Sequence, residues 1–72
     1  MTFEEFFDEY YREVKRIIQD IIKLINMVET TNSIDSIKKI YVKDYLMSAI
    51  SKLGETIGEL ETYKILRGEG DL

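Results

Sequence analysis

Cysteine, histidine, tryptophan and proline are all missing from the 72 residues. Without cysteine there is no disulfide and no thiolate metal site. Without histidine there is no imidazole ligand, no Ser-His or Cys-His dyad and no side chain that ordinarily titrates near neutral pH. Long apolar runs are also missing: the longest are two or three residues, as in Ile40-Tyr41-Val42, against the ~18–20 that cross a bilayer. No membrane partner is expected. The N-terminal Met1-Thr2-Phe3-Glu4-Glu5 is acidic where a secretory signal is basic, so a cytoplasmic location is expected. The length allows one small domain. A chain of this size has little core of its own and commonly needs a staple or a partner.

What is present is 44% hydrophobic and 33% charged, with a net charge of −4. That is too apolar for a disordered acidic chain and too charged for a membrane span. Eleven isoleucines, many Lys and Glu, two Asn and one Gln match a heat-adapted composition, a bias that an AT-rich genome also produces.

The first helix is predicted over about residues 2–29. Thr2 followed by Glu5 reads as a capping box, and Glu4, Glu5, Asp8 and Glu9 suit the positive end of the helix dipole. Phe3, Phe7, Tyr10, Val14, Ile17, Ile21, Leu24 and Val28 follow at spacings of four and three. This unbroken heptad seam is the strongest signal in the chain. A second row, Tyr11, Ile18 and Ile25, lies beside it, with Phe6 and Ile22 at the flanks. So wide an apolar face needs two or three neighbouring helices.

Thr30, Thr31, Asn32 and Ser33 interrupt the pattern with side chains that favour caps and turns. A turn is predicted at about 30–33, with Asn32 and Asp35, or Ser33 and Ser36, starting the next helix. That helix is predicted over about 34–67. Its stripe is Ile37, Tyr41, Tyr45, Leu46, Ala49, Ile50, Leu53, Ile57, Leu60, Tyr63 and Leu66. Gly54 and Gly58 interrupt it, and Thr56 with Glu59 offers another capping box, so a break at Gly54 is the alternative. Continuity is preferred because the stripe passes Gly54 without a change of phase. Gly68 is expected to stop the helix, leaving 68–72 as a flexible tail.

The fold class expected is therefore all-α: an antiparallel two-helix hairpin over residues 1–67, dimerising into a four-helix bundle. One hairpin has a single helix–helix interface, which cannot cover both stripes. The outline is similar in architecture to Rop-like hairpin dimers. No motif is shared with them, and no function is carried over.

The candidate chemistry is sparse. Glu9, Glu13, Glu55, Glu59 and Glu61 gather near one end of such a hairpin, where carboxylates hold Mg²⁺ or Mn²⁺ in other proteins. The bland reading is a solvated helix start, with Asp8–Arg12 and Glu13–Arg16 pairing along the helix. No catalytic, cofactor-binding or metal-binding residue is assigned, and the chain is not expected to be an enzyme. Lys38, Lys39, Lys43 and Lys52 with Tyr41 form a mildly basic middle, but overall acidity makes nucleic acid an unlikely partner. Ser51, Gly54 and Gly58 suit either close approach by another helix or a weakened helix.

The function expected is a non-enzymatic protein–protein interaction module acting as an antiparallel homodimer. Its alternative is a nucleic-acid-binding or nucleic-acid-mimicking regulator. The self-association core is assigned to Phe7, Tyr10, Val14, Ile17, Ile21, Leu24 and Val28 of the first helix. From the second come Leu46, Ile50, Leu53, Ile57 and Leu60. Docking of a further, unidentified protein is assigned to Phe3, Phe6, Tyr11 and Tyr63.

Overall fold

Thr2 opens the first helix as the sequence predicts. Its backbone is extended (φ −76°, ψ 164°), and its hydroxyl accepts the Glu5 N–H at 3.1 Å, satisfying one of the N–H groups that a helix start leaves free. The computed structural model describes residues 1–70, and among these it contains two helices, α1 (Phe3–Thr30) and α2 (Ser36–Gly70). They pack against each other as an antiparallel hairpin. The Phe3 ring lies 5.2 Å from that of Tyr63 at the open end, the Tyr10 hydroxyl donates to Thr56 Oγ1 at 2.7 Å, and Lys43 meets Glu29 at 3.0 Å near the turn.

The turn is longer at its far end than the sequence suggests. α1 closes on the Thr31 N–H, which donates to the Met27 carbonyl at 3.1 Å, while the Thr30 hydroxyl donates to the Asn26 carbonyl at 2.9 Å. The Ser33 N–H then donates to Thr31 Oγ1 at 3.1 Å. The second helix begins at Ser36 rather than 34 because Asp35 is its cap. The Asp35 carboxylate accepts the Lys38 N–H at 2.7 Å, and neither Asn32 nor Ser33 takes that place.

α2 is continuous. Thr56 does not cap a new helix: its hydroxyl donates to the Leu53 carbonyl at 2.7 Å while accepting from Tyr10. Gly68 does not stop the helix either, since no described residue has a positive φ and α2 runs on to Gly70. Of the tail expected over 68–72, residues 68–70 are thus helical, and 71 and 72 lie outside the described residues.

The result is a flat plate measuring 57 × 19 × 10 Å across its Cα atoms. Its core is thin. Among the described residues only Val14 and Ile57 are buried, at 4% and 9% exposure. Phe3, Phe7, Tyr10, Ile18, Ile21, Ile25 and Val28 of α1 are half-buried, as are Val42, Leu46, Ala49, Ile50, Leu53 and Leu60 of α2. The inner row therefore departs from the strict heptad seam. Ile18 and Ile25 take the places expected of Ile17 and Leu24, which are 44% and 46% exposed. A straight helix turns by about 20° per heptad relative to an ideal seven-residue repeat, so a seam spaced by sevens rotates away from a single straight neighbour.

Candidate association surface

The open end is aromatic. From Phe3 the rings divide along the two edges of α1. Phe3, Phe6 and Tyr10 run down one edge at centroid separations of 6.2 and 5.8 Å, and Phe3, Phe7 and Tyr11 down the other at 6.2 and 6.3 Å. Tyr63 of α2 closes on Phe3. Cations lie over these rings: Arg67 over Phe3 and Tyr63, Lys64 over Phe7, and Lys15 over Tyr11, all between 5.5 and 5.8 Å from the centroids. Such contacts attract through the ring quadrupole. Of the residues assigned to partner docking, Phe3 and Tyr63 are in contact, Phe6 and Tyr11 diverge onto opposite edges, and Phe6, Tyr11 and Tyr63 are exposed.

The plate has two broad faces, set by the contacts along their edges. One carries the Tyr10–Thr56 hydrogen bond and is called the Tyr10 face. The other carries the clamp at the turn, where Lys39 Nζ donates to the Glu29 carbonyl and Lys43 Nζ to the Glu29 carboxylate, both at 3.0 Å. It is called the Glu29 face. At about 100° per residue, Phe6, Tyr10, Glu13, Ile17 and Leu24 of α1 share the Tyr10 face with Ala49, Tyr45 and Tyr63 of α2. Tyr11, Ile18 and Ile22 share the Glu29 face with Met47, Ile50 and Ile65, while the buried Ile57 points between the helices.

Eight of the twelve residues assigned to the self-association core are half-buried between the helices: Phe7, Tyr10, Ile21, Val28, Leu46, Ile50, Leu53 and Leu60; with the more deeply buried Val14 and Ile57 they make one inner layer, while Ile17 and Leu24 lie outside it. On α2 the predicted stripe is too wide. Ile37, Tyr41, Tyr45, Tyr63 and Leu66 are exposed, Tyr45 at 75%. Val42 and Ile34, left out of that stripe, are half-buried instead. The Glu29 clamp was also absent from the sequence reading, because it joins residues ten and fourteen apart across the turn.

The carboxylates make no compact cluster: among the described residues no group of three is placed to hold a metal ion. Glu13 pairs with Arg16 at 2.6 Å, as predicted. Arg12 instead reaches the Asp8 backbone carbonyl, at 3.4 Å. The lysines of the basic middle are largely engaged, Lys39 and Lys43 by Glu29 and Lys52 by Glu55 at 3.7 Å. Concave features are open depressions at the aromatic end. One of about 440 Å³ is lined by Thr2, Phe3, Glu4, Lys64, Arg67 and Gly68.

Many large apolar side chains are left exposed. Besides Ile17 and Leu24, the exposed large side chains include Met27, Ile40, Met47 and Ile65. The chain exposes 5843 Å², whereas a compact protein of 8.5 kDa exposes about 4,700 Å². No helix among the described residues is long and apolar enough to cross a membrane. No protein-family model matches the chain, and neither curated proteins nor solved structures give a match.

Proposed function

We propose that this chain is a non-enzymatic protein–protein interaction module that works in the cytoplasm as a helical homodimer. Two hairpins dock into a four-helix bundle that serves as an adaptor, regulator or small subunit of a larger assembly. The observation that carries this reading is the surface excess of a plate one helix thick. Two chains of this mass folded into one compact body would expose about 7,700 Å², some 4,000 Å² less than two separate hairpins. That lies within the ~2,000–5,000 Å² of obligate interfaces. Burial of apolar side chains supplies the driving force.

Charge bears on orientation. Residues 20–47, the turn half, hold four acidic residues and four lysines and are neutral, so the net charge of −4 falls entirely on the open half. Stacking two hairpins with their turns together brings the charged halves together. Inverting one sets each acidic end beside a neutral one, so the antiparallel dimer is favoured, by an amount that salt reduces. A further protein then docks at the aromatic end, around Phe3, Phe6, Tyr11 and Tyr63.

Sedimentation equilibrium of the purified chain tests this proposal. A mass near twice 8.5 kDa supports it, and a monomer at tens of micromolar refutes it. A gel shift with generic DNA and RNA addresses the rival: tight, salt-sensitive binding would favour the nucleic-acid reading.

A further inference from the structure

We infer that α2, rather than α1, carries the dimer: the two α2 helices lie antiparallel against each other as its central seam, with each α1 outside. This deepens the homodimer reading above and rests on it.

The two helices differ first in how much of their apolar surface the hairpin covers. α1 is strongly one-sided. At about 100° per residue, its edge opposite Val14 and Ile21 carries Glu5, Glu9, Arg12, Arg16, Gln19 and Lys23, side chains suited to water. Apart from Met27, no large apolar side chain of α1 is more than 46% exposed. α2 is only weakly one-sided. Ile37, Tyr41 and Leu66 stand on the edge opposite the inner Leu46 and Leu53, with Ile40 and Met47 on one flank and Tyr45 on the other. Each of these six is at least 56% exposed. A helix that is apolar on more than one side needs neighbours on more than one side, and α1 supplies only one of them.

The helices differ next in the order of their charges. A two-fold pair meets through the same patch on both copies, so inverting one hairpin on the other sets each helix beside its own copy, running the opposite way. Residues 3–16 of α1 hold five acidic side chains against three basic ones, and residues 17–30 two against one. Both halves are negative, so an antiparallel α1 pair sets like charge on like. On α2, residues 36–53 hold four lysines against Asp44 alone, and residues 54–70 four glutamates against Lys64 and Arg67. An antiparallel α2 pair therefore sets opposite charges together, twice over by symmetry. The hairpin leaves that complement unmet. Its own α1 brings acidic residues beside the acidic half of α2, and among the described residues Glu59 and Glu61 make no ion pair. In the other half Glu29 holds Lys39 and Lys43, but Lys52 reaches only Glu55 of its own helix, at 3.7 Å.

Single nitroxide labels test the inference, since the chain has no cysteine of its own. Lys52→Cys reports α2 and Arg16→Cys reports α1. Both side chains are exposed, so neither change opens the core, and the Tyr10–Thr56 contact sets them at similar heights in the hairpin. Label-to-label distances are read by pulsed electron spin resonance on samples that sediment as dimers. Packed helices lie about 8–10 Å apart, so the Lys52→Cys pair should fall below about 20 Å and the Arg16→Cys pair, on the outer helices, beyond about 25 Å. Any other pattern in a sedimenting dimer overturns the α2 seam and leaves the homodimer standing; two short distances, for instance, describe a square bundle in which α1 pairs equally. A wild-type chain that sediments as a monomer overturns both. Charge reversal at low salt gives an independent reading, with circular dichroism run alongside. Lys38→Glu combined with Lys52→Glu should raise the dimer Kd at least ~10-fold, and Lys15→Glu combined with Lys23→Glu, the same change of net charge on α1, by less than ~3-fold. Equal or reversed effects contradict the assignment.

Discussion

Thr2 and Asp35 do the same work at the two helix starts, each offering a side-chain oxygen to an N–H three residues on. Thr2→Ala and Asp35→Ala should each lower stability by about 0.5–2 kcal/mol, read from urea or thermal melts; an unchanged midpoint would show that the cap is idle. Only one of the two was legible in the sequence. Thr2 stands alone before a clean apolar period, whereas Asp35 follows several residues able to cap, and local pattern does not choose between them. In the core, Ile57 is among the most enclosed side chains. Ile57→Ala should cost about 2–5 kcal/mol, while Lys15→Ala, at an exposed site over the Tyr11 ring, should change stability by less than about 1 kcal/mol. Equal losses at the two positions would mean that the inner layer is wrongly placed.

The first helix was legible because its apolar residues keep one helical face for nearly thirty residues; the second is only weakly one-sided, and was read from apolar spacings of three and four. The side that each helix turns inward was less legible. A sequence seam counted in sevens and a straight helix diverge by about 20° per heptad, so Ile18 and Ile25 displace Ile17 and Leu24 inside the hairpin. On α2 the tyrosines blur the stripe, since an amphipathic ring suits an edge as well as a core. Continuity through Gly54 and Gly58 has a direct consequence. Both glycines are helical, and a Cβ built on either meets nothing within 4 Å. Gly54→Ala and Gly58→Ala should each raise stability by about 0.8–1 kcal/mol, seen as a higher melting temperature. Destabilisation by either would mean that something packs against those glycines, contrary to the open space beside them in the hairpin.

At the scale of the whole molecule, two buried side chains in a plate 10 Å thick hold little against the entropy of ordering seventy residues. The exposed apolar surface was legible as more apolar positions than one partner helix can cover. Its division into two faces was not, because that depends on how far each row rotates along the hairpin. Orientation is tested with a nitroxide on Ser33→Cys, in the turn: the antiparallel dimer separates the two labels by roughly 40 Å, about the length of α1, and a short distance indicates turns at the same end. The most direct test of the central claim, that this fold is completed by a second copy, is the melting temperature of the chain across a 100-fold range of concentration. Association that accompanies folding makes the melting temperature rise with concentration, and the account predicts that rise, with helix signal and dimer lost together. A melting temperature independent of concentration would contradict it.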